Sequence, residues 1–399
     1  MKTKFFLNLG RSAGIVMGAG FALSASAGTP NFTTGPTLDV AADIYSVVSA
    51  DFMGNGKQDM VTVDGTMWLN TSPGDGSVSF SPIPVISAGN FLAVADFNGD
   101  GKPDLVETLG SDQVAVFLNT TQSGDTIPSF AAPVYFNVTG ISSVVTTADV
   151  NGDGLPDLIV TDTGAYVVNV LINTTTPGSS TVTFGNFQSF TTGNGANWVV
   201  AGDLNGDGSP DMVVANNLDN TISVFINTTP IGSPVASFTA QQVFSIGNLP
   251  NMLALADING DHSLDIVAAN NSENAISVLL NTTPNGSTTA SFAAEETFAT
   301  GDVPDSVVAV DVDGDGMPDL VAANAQDGTV TVIHNLTAPG AAAASFDTGV
   351  TFTEEGSDPE FLIATDLNGD GKPDLAVLNT MSPDSAQVGS ISLLINDSF

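Results

Sequence analysis

Cysteine is absent from the 399 residues, so the chain offers no disulfide and no thiolate centre for metal or redox chemistry. Positive charge is scarce as well: Lys and Arg number six against 43 acids, for a formal net charge of −37. Lys2, Lys4 and Arg11 precede an apolar run near Ala13 to Leu23, so only Lys57, Lys102 and Lys372 remain beyond it. Neutralising a phosphate backbone takes Lys and Arg, which excludes nucleic acid as a partner. No later segment offers about 18 apolar residues without charge, so membrane insertion is not expected. The two histidines, His262 and His334, lie far apart in the chain, and no nucleophile-elbow, phosphate-loop or zinc pattern accompanies them.

The first 27 residues read as a secretory signal: a basic start, the apolar run, then Ala25-Ser26-Ala27 as the cleavage pattern. An exported protein is predicted, extracellular or periplasmic, with residues 28–399 as one domain.

What the chain has in abundance is one nine-residue loop. In Asp203 to Asp211, carboxylates stand at positions 1, 5 and 9, an amide at position 3, and glycines at 206 and 208. Asn, Asp and Gly favour turns on their own, but a turn does not ask for three carboxylates at fixed spacing every time. Three anions this close repel unless a cation lies between them, and Ca²⁺ accepts six to eight oxygen ligands in forgiving geometry. The expected ligands at positions 1, 3, 5, 7 (by its carbonyl) and 9 of the second loop are Asp96, Asn98, Asp100, Lys102 and Asp104. In the third they are Asp149, Asn151, Asp153, Leu155 and Asp157, and in the fourth Asp203, Asn205, Asp207, Ser209 and Asp211. The fifth has Asp257, Asn259, Asp261, Ser263 and Asp265, and the sixth Asp311, Asp313, Asp315, Met317 and Asp319. The seventh has Asp366, Asn368, Asp370, Lys372 and Asp374. The first loop, Asp51 to Asp59, is degraded, with Met53 at position 3 and Asn55 at position 5, so about six Ca²⁺ sites are expected. An EF-hand is excluded because position 12 is Glu only once, at Glu107, and the flanks are short and β-branched.

The loops start at Asp51, Asp96, Asp149, Asp203, Asp257, Asp311 and Asp366, about 54 residues apart from the third onward. A Phe precedes most of them by 19 residues and an Asn-Thr pair follows by 23 or 24. One unit cannot bury its faces alone, so the units must stack or close into a ring. The fifth unit reads as four strands: Asn251 to Asp257, Asp265 to Ala269, Ala275 to Asn281, and one near Phe292 to Ala299. Seven such units predict an all-β, seven-bladed β-propeller. The last unit has no fourth strand before Phe399, while Phe32 lies 19 residues ahead of Asp51. The N-terminal segment is therefore expected to complete the last blade. Val63-Asp-Gly-Thr66 reads as a two-residue hairpin in the trimmed first unit.

The D-x-N-G-D-G-x-P-D loop, the following D-[LMI]-V-V-A strand and the upstream Gly-x-x-Pro at Gly247, Gly301 and Gly356 resemble the FG-GAP (VCBS-type) repeat of integrin α-subunit headpieces and many exported bacterial proteins. The resemblance covers residues 29–399 and implies a seven-bladed propeller with Ca²⁺ in hairpin loops on one face. It does not fix a ligand, because function lives in sites grafted on folds. Strand alternation puts the Asn/Asp-rich turns at Asn216 to Asn220, Asn270 to Asn274, Asn324 to Gly328 and Asn379 to Gln387 on the opposite face. Trp198 is expected to pack between blades, and the Asn-Thr-Thr triplets to form turns. The reading is a monomeric, non-enzymatic binding or adhesion module for a protein or carbohydrate ligand. A polysaccharide-acting enzyme of the lyase type is the alternative.

Overall fold

The computed structural model describes residues 31–40, 44–353, 358–380 and 389–398. The signal segment expected over residues 1–27 lies outside them, as does most of the Asn379 to Gln387 turn. All regular elements among the described residues are strands, and no helix is long and apolar enough to cross a membrane.

Seven antiparallel sheets are arranged as the repeat predicts, with loops joining the first and second strands of each. Blade 4 is representative: Ala196–Gly202, Asp211–Asn216, Thr221–Phe225 and Gln242–Ser245. Its second strand, DMVVAN, is buried at all six positions, whereas its outermost strand alternates between half-buried and exposed. A blade sandwiched between two others buries both faces of its inner strands. That explains near-continuous apolar runs where a sheet with one wet face would alternate. The first strands contact one another from blade to blade around a central axis.

Blade 7 is closed as expected. Its chain strands are Pro359–Thr365, Asp374–Asn379 and Ser390–Asn396, and Phe32–Thr34 pairs antiparallel on the last of them. Leu38–Asp39 continues that pairing. Phe32 stands opposite Asn396 as Phe184 stands opposite Asn173 and Phe292 opposite Asn281. Its ring meets Phe352 edge-on at 5.5 Å, repeating the Phe136–Phe184, Phe244–Phe292 and Phe298–Phe346 pairs between the other blades.

Two local expectations are corrected. The fourth strand of blade 5 is Glu296–Ala299; Phe292 forms a separate bridge to Asn281, because the chain leaves the ladder between them. The hairpin of blade 1 has three loop residues, Val63, Asp64 and Gly65, with Gly65 at φ 84°. The Gly65 N–H donates to Thr62 O at 2.9 Å. Asp64 Oδ1 accepts from Thr66 N–H and Thr62 Oγ1–H, so the third residue is a left-handed glycine and not a strand position.

Candidate functional site

The nine-residue loops adopt one geometry. In the fourth, Asp203 Oδ1 accepts the N–H of Asp207 at 3.2 Å and Oδ2 that of Gly208 at 2.7 Å. Asn205 Oδ1 also accepts from Asp207 N–H, and Asp207 Oδ1 accepts from Ser209 N–H. Gly206 and Gly208 sit at φ 69° and 87°, backbone that favours glycine. His262 occupies the second of these slots in the fifth loop at φ 71°, exposed beside Asp257.

Position 9 behaves differently. Asp211 is fully buried; its Oδ2 accepts from Leu204 N–H and its Oδ1 from Asn227 N–H. The same pair of bonds recurs at Asp104, Asp157, Asp265, Asp319 and Asp374. Burial pushes these carboxyls up, to about 8 at Asp157 and Asp319, about 7 at Asp104, Asp211 and Asp265, and about 6 at Asp374. The acids of the same loop add to the rise in each case.

The donor set fits a hard divalent cation. Each carboxylate oxygen that takes one N–H keeps a second lone pair, and the gathered anions outnumber any basic neighbour, such as Lys102, 3.7 Å from Asp100 Oδ2. In the sixth loop, oxygens of Asp311, Asp313 and Asp315 lie within 4.8 Å of one another, a span one ion with ligands at 2.3–2.6 Å bridges. That cluster gathers positions 1, 3 and 5 without Asp319. The first loop keeps the turn with Asn55 in place of the acid, and its Lys57 Nζ donates to Ser72 O at 2.6 Å.

The Asn of each Asn-Thr pair does more than turn the chain. Its Oδ1 accepts the N–H two residues on, as Asn227 does from Thr229. Its Nδ2 crosses to the preceding blade and donates to the carbonyl of loop position 2: Asn227 to Val150, Asn281 to Leu204, Asn335 to Ile258. Asn119 and Asn173 repeat this, and Asn70 to Leu367 and Asn396 to Val312 complete a circuit of seven. Sequence reading missed the circuit. The signal available was an Asn recurring in phase even where no Thr follows, as at Asn396.

A second set of bonds ties the loop face. Asn205 Nδ2 donates to Ser287 O, and Gly286 N–H to Asn205 O, joining loop four to the third–fourth connection of blade 5. Asn98, Asn151 and Asn259 make the same latch. Asp313 replaces that Asn in loop six, and the buried His334 holds Nδ1 3.5 Å from its Oδ2. His334 therefore has an acidic partner that sequence spacing did not reveal.

At the other end of the first strands an axial cavity of about 430 Å³ opens. One polar residue per blade rings it: Tyr45, Asn90, Ser143, Asn197, Asn251, Asp305 and Glu360. Trp198 lies beneath them and not simply between blades. It meets Phe91 of blade 2 edge-on at 5.1 Å and Phe361 of blade 7 at 6.0 Å across the axis. With Met252 these rings line both this cavity and a second, of about 550 Å³, toward the loop face. The rim is fixed by strained backbone: Leu249 and Val303 sit at φ 53° and 59°, unfavourable above all for a β-branched residue. Asn220 and Asn274 side chains accept their N–H groups.

No curated protein matches the chain in sequence. Among solved structures, the crystal structure of BBS1N in complex with ARL6DN, soaked with lead, matches at TM-score 0.56 and 11% identity, covering 92% of this chain and 99% of that one. An Agrocybe aegerita lectin, solved for its recognition of non-reducing terminal N-acetylglucosamine, matches at TM-score 0.52 and 17% identity, covering 83% and 92%. These likenesses concern the fold. The FG-GAP-like repeat family matches six overlapping pairs of units, residues 51–107, 96–160, 149–214, 203–268, 257–322 and 311–377. With the loop, the ring and the period in agreement, this chain belongs to the FG-GAP-like repeat family.

Proposed function

We propose that the protein is an exported, calcium-stabilised propeller acting as a non-enzymatic binding module for a protein or carbohydrate ligand. The observation that carries the metal part is the set of repeated carboxylate loops on one face, with Asp311, Asp313 and Asp315 gathered within 4.8 Å. Positions 1, 3 and 5 of loops two to seven would hold the ion with the position-7 carbonyl, while position 9 braces the loop against its own blade and orients it. Bound Ca²⁺ supplies charge compensation and rigidity, a ligand of the native state only.

Support for the binding role is the likeness in fold to a propeller crystallised with a protein partner and to an N-acetylglucosamine-recognising lectin. Both histidines stand apart from the axial cavities, whose rim carries Tyr45, Asp305 and Glu360. A glycan array and a partner pull-down, each run with Ca²⁺ and with EDTA, test the reading. Calcium-dependent retention of a glycan or protein supports it; depolymerisation of a polysaccharide without stable retention would replace it with the lyase alternative.

A further inference from the structure

The axial mouth has a chemical bias that the loop face lacks. On one side of the rim the amide donors run along the ring: Asn197 Nδ2 donates to Asn251 O and Oδ1, and Asn251 Nδ2 to Asp305 O and Oδ1. Asn271 Nδ2 also donates to Asp305 Oδ1. What these residues leave is oxygen. Asn197 Oδ1 is buried without a partner, and the carboxyls of Asp305 and Glu360 stand on the same rim; burial raises Asp305, and Asp358 adds to the rise.

Charge is divided between the two faces. Among the described residues the lysines are Lys57, Lys102 and Lys372, all at position 7 of a nine-residue loop; His262 lies in a loop and His334 beside Asp313. The mouth therefore has acids and no cation of its own. Beneath it lies an aromatic floor, and ring faces attract cations, more so when the cation is desolvated. Acids with no basic side chain on the rim, above an aromatic floor, favour one ligand chemistry.

We infer that the axial mouth binds an organic ammonium group, with the cation over Trp198 and its N–H or N–CH groups toward Asp305 and Glu360. The assignment deepens the binding-module reading by naming a ligand class. It does not depend on calcium, since the mouth lies at the opposite end of the first strands from the loops.

Trp198 is its own reporter once the other tryptophan is removed by Trp68→Phe. The full chain in Ca²⁺-saturated buffer is titrated with choline and with 3,3-dimethylbutanol, its neutral isostere, while indole emission is followed. A second pair, glucosamine and N-acetylglucosamine, distinguishes a free ammonium from an amino sugar. The cation of at least one pair should bind about tenfold tighter than its neutral partner. Added salt and the double variant Asp305→Asn, Glu360→Gln should weaken that binding. Equal binding within both pairs would overturn the assignment and leave an apolar or sugar-reading pocket. A response to neither cation at millimolar concentration would overturn it too. Neither result bears on calcium-dependent retention of a glycan elsewhere, and the isostere comparison needs no rim variant to fold.

Discussion

Two junctions of the ring differ in how the chain crosses them. Between blades 4 and 5 the fourth strand of each blade follows its third, and three of the contacts that join the pair recur around the ring. Asn281 reaches Leu204 O at 2.8 Å, Phe244 packs on Phe292 at 4.9 Å, and Asn205 latches Ser287 O at 3.0 Å. Between blades 6 and 7 the outer strand comes from the other end of the chain. The first two contacts survive, as Asn396 to Val312 O at 2.8 Å and Phe352 on Phe32 at 5.5 Å. The latch does not, because blade 7 has no third–fourth connection to receive it. There position 3 is Asp313, and His334 faces it where Ile226 and Leu280 stand in earlier blades. The amide of loops two to five thus serves the neighbouring blade, whatever it also offers a metal.

Metal removal should test the comparison hardest, since each site contributes about 2.7 kcal/mol at a hundredfold excess over Kd. Melting with Ca²⁺ and with EDTA should give well-separated midpoints, and native mass spectrometry should count about six ions. Coincident midpoints would make the loops turns only; seven firm ions would restore the first loop. The EDTA-treated protein should also respond to pH in a set direction. The buried Asp157 and Asp319 reach about 8, and Asp104, Asp211 and Asp265 about 7. The folded chain keeps these protons where the unfolded chain, near 3.8, releases them. Their stabilisation is complete below about pH 4 and is lost as pH climbs through about 7 to 8. Apo melting points should fall from pH 5.5 to 8.5, and a rise would refute the burial argument.

Deleting residues 28–40 breaks the seam directly. Phe32, Leu38 and Val40 are nearly fully buried, so their loss costs about 5–9 kcal/mol and bares a sheet edge. A lower melting point and higher oligomers on size exclusion are expected; an equally stable monomer would show that the ring closes without this strand. Smaller still is the crossing bond. Asn227→Ala and Asn396→Ala should each cost about 1–3 kcal/mol by stranding a buried carbonyl, and urea melts should find them alike. A much larger loss at Asn396 would mean that the seam leans on this bond more than the other junctions do. The smallest contrast is at position 3. Asn205→Asp loses its latch and should destabilise by about 1–2 kcal/mol, whereas Asp313→Asn should stay within about 0.5 kcal/mol in Ca²⁺-free buffer. Equal effects would end the distinction between the two junctions.

The period, the blade count and the closing strand were legible because each rests on spacing along the chain. The fourth strand of blade 5 was blurred because Phe292 belongs to the blade-to-blade packing and not to the ladder. The Asn circuit, Trp198 on the axis and the Asp313–His334 contact were not legible, since each joins residues of different strands or blades. For the candidate site, sequence spacing put positions 1, 3 and 5 together, and in the sixth loop oxygens of Asp311, Asp313 and Asp315 lie within 4.8 Å of one another. Position 9 shares that spacing, and its carboxyl is buried and takes two backbone donors of its own blade, which spacing alone does not disclose.

The Asn circuit always points the same way, from each blade back to the one before it. A single unit therefore carries both halves of its own interface, a donor on one side and a waiting carbonyl on the other. Head-to-tail contacts of this heterologous kind make an open helix unless the rotation per step divides a full turn. Here seven steps return Asn70 to Leu367, so the angle set by one repeated interface comes full circle at seven copies, and the strand Phe32–Thr34 seals the seam where the circle meets.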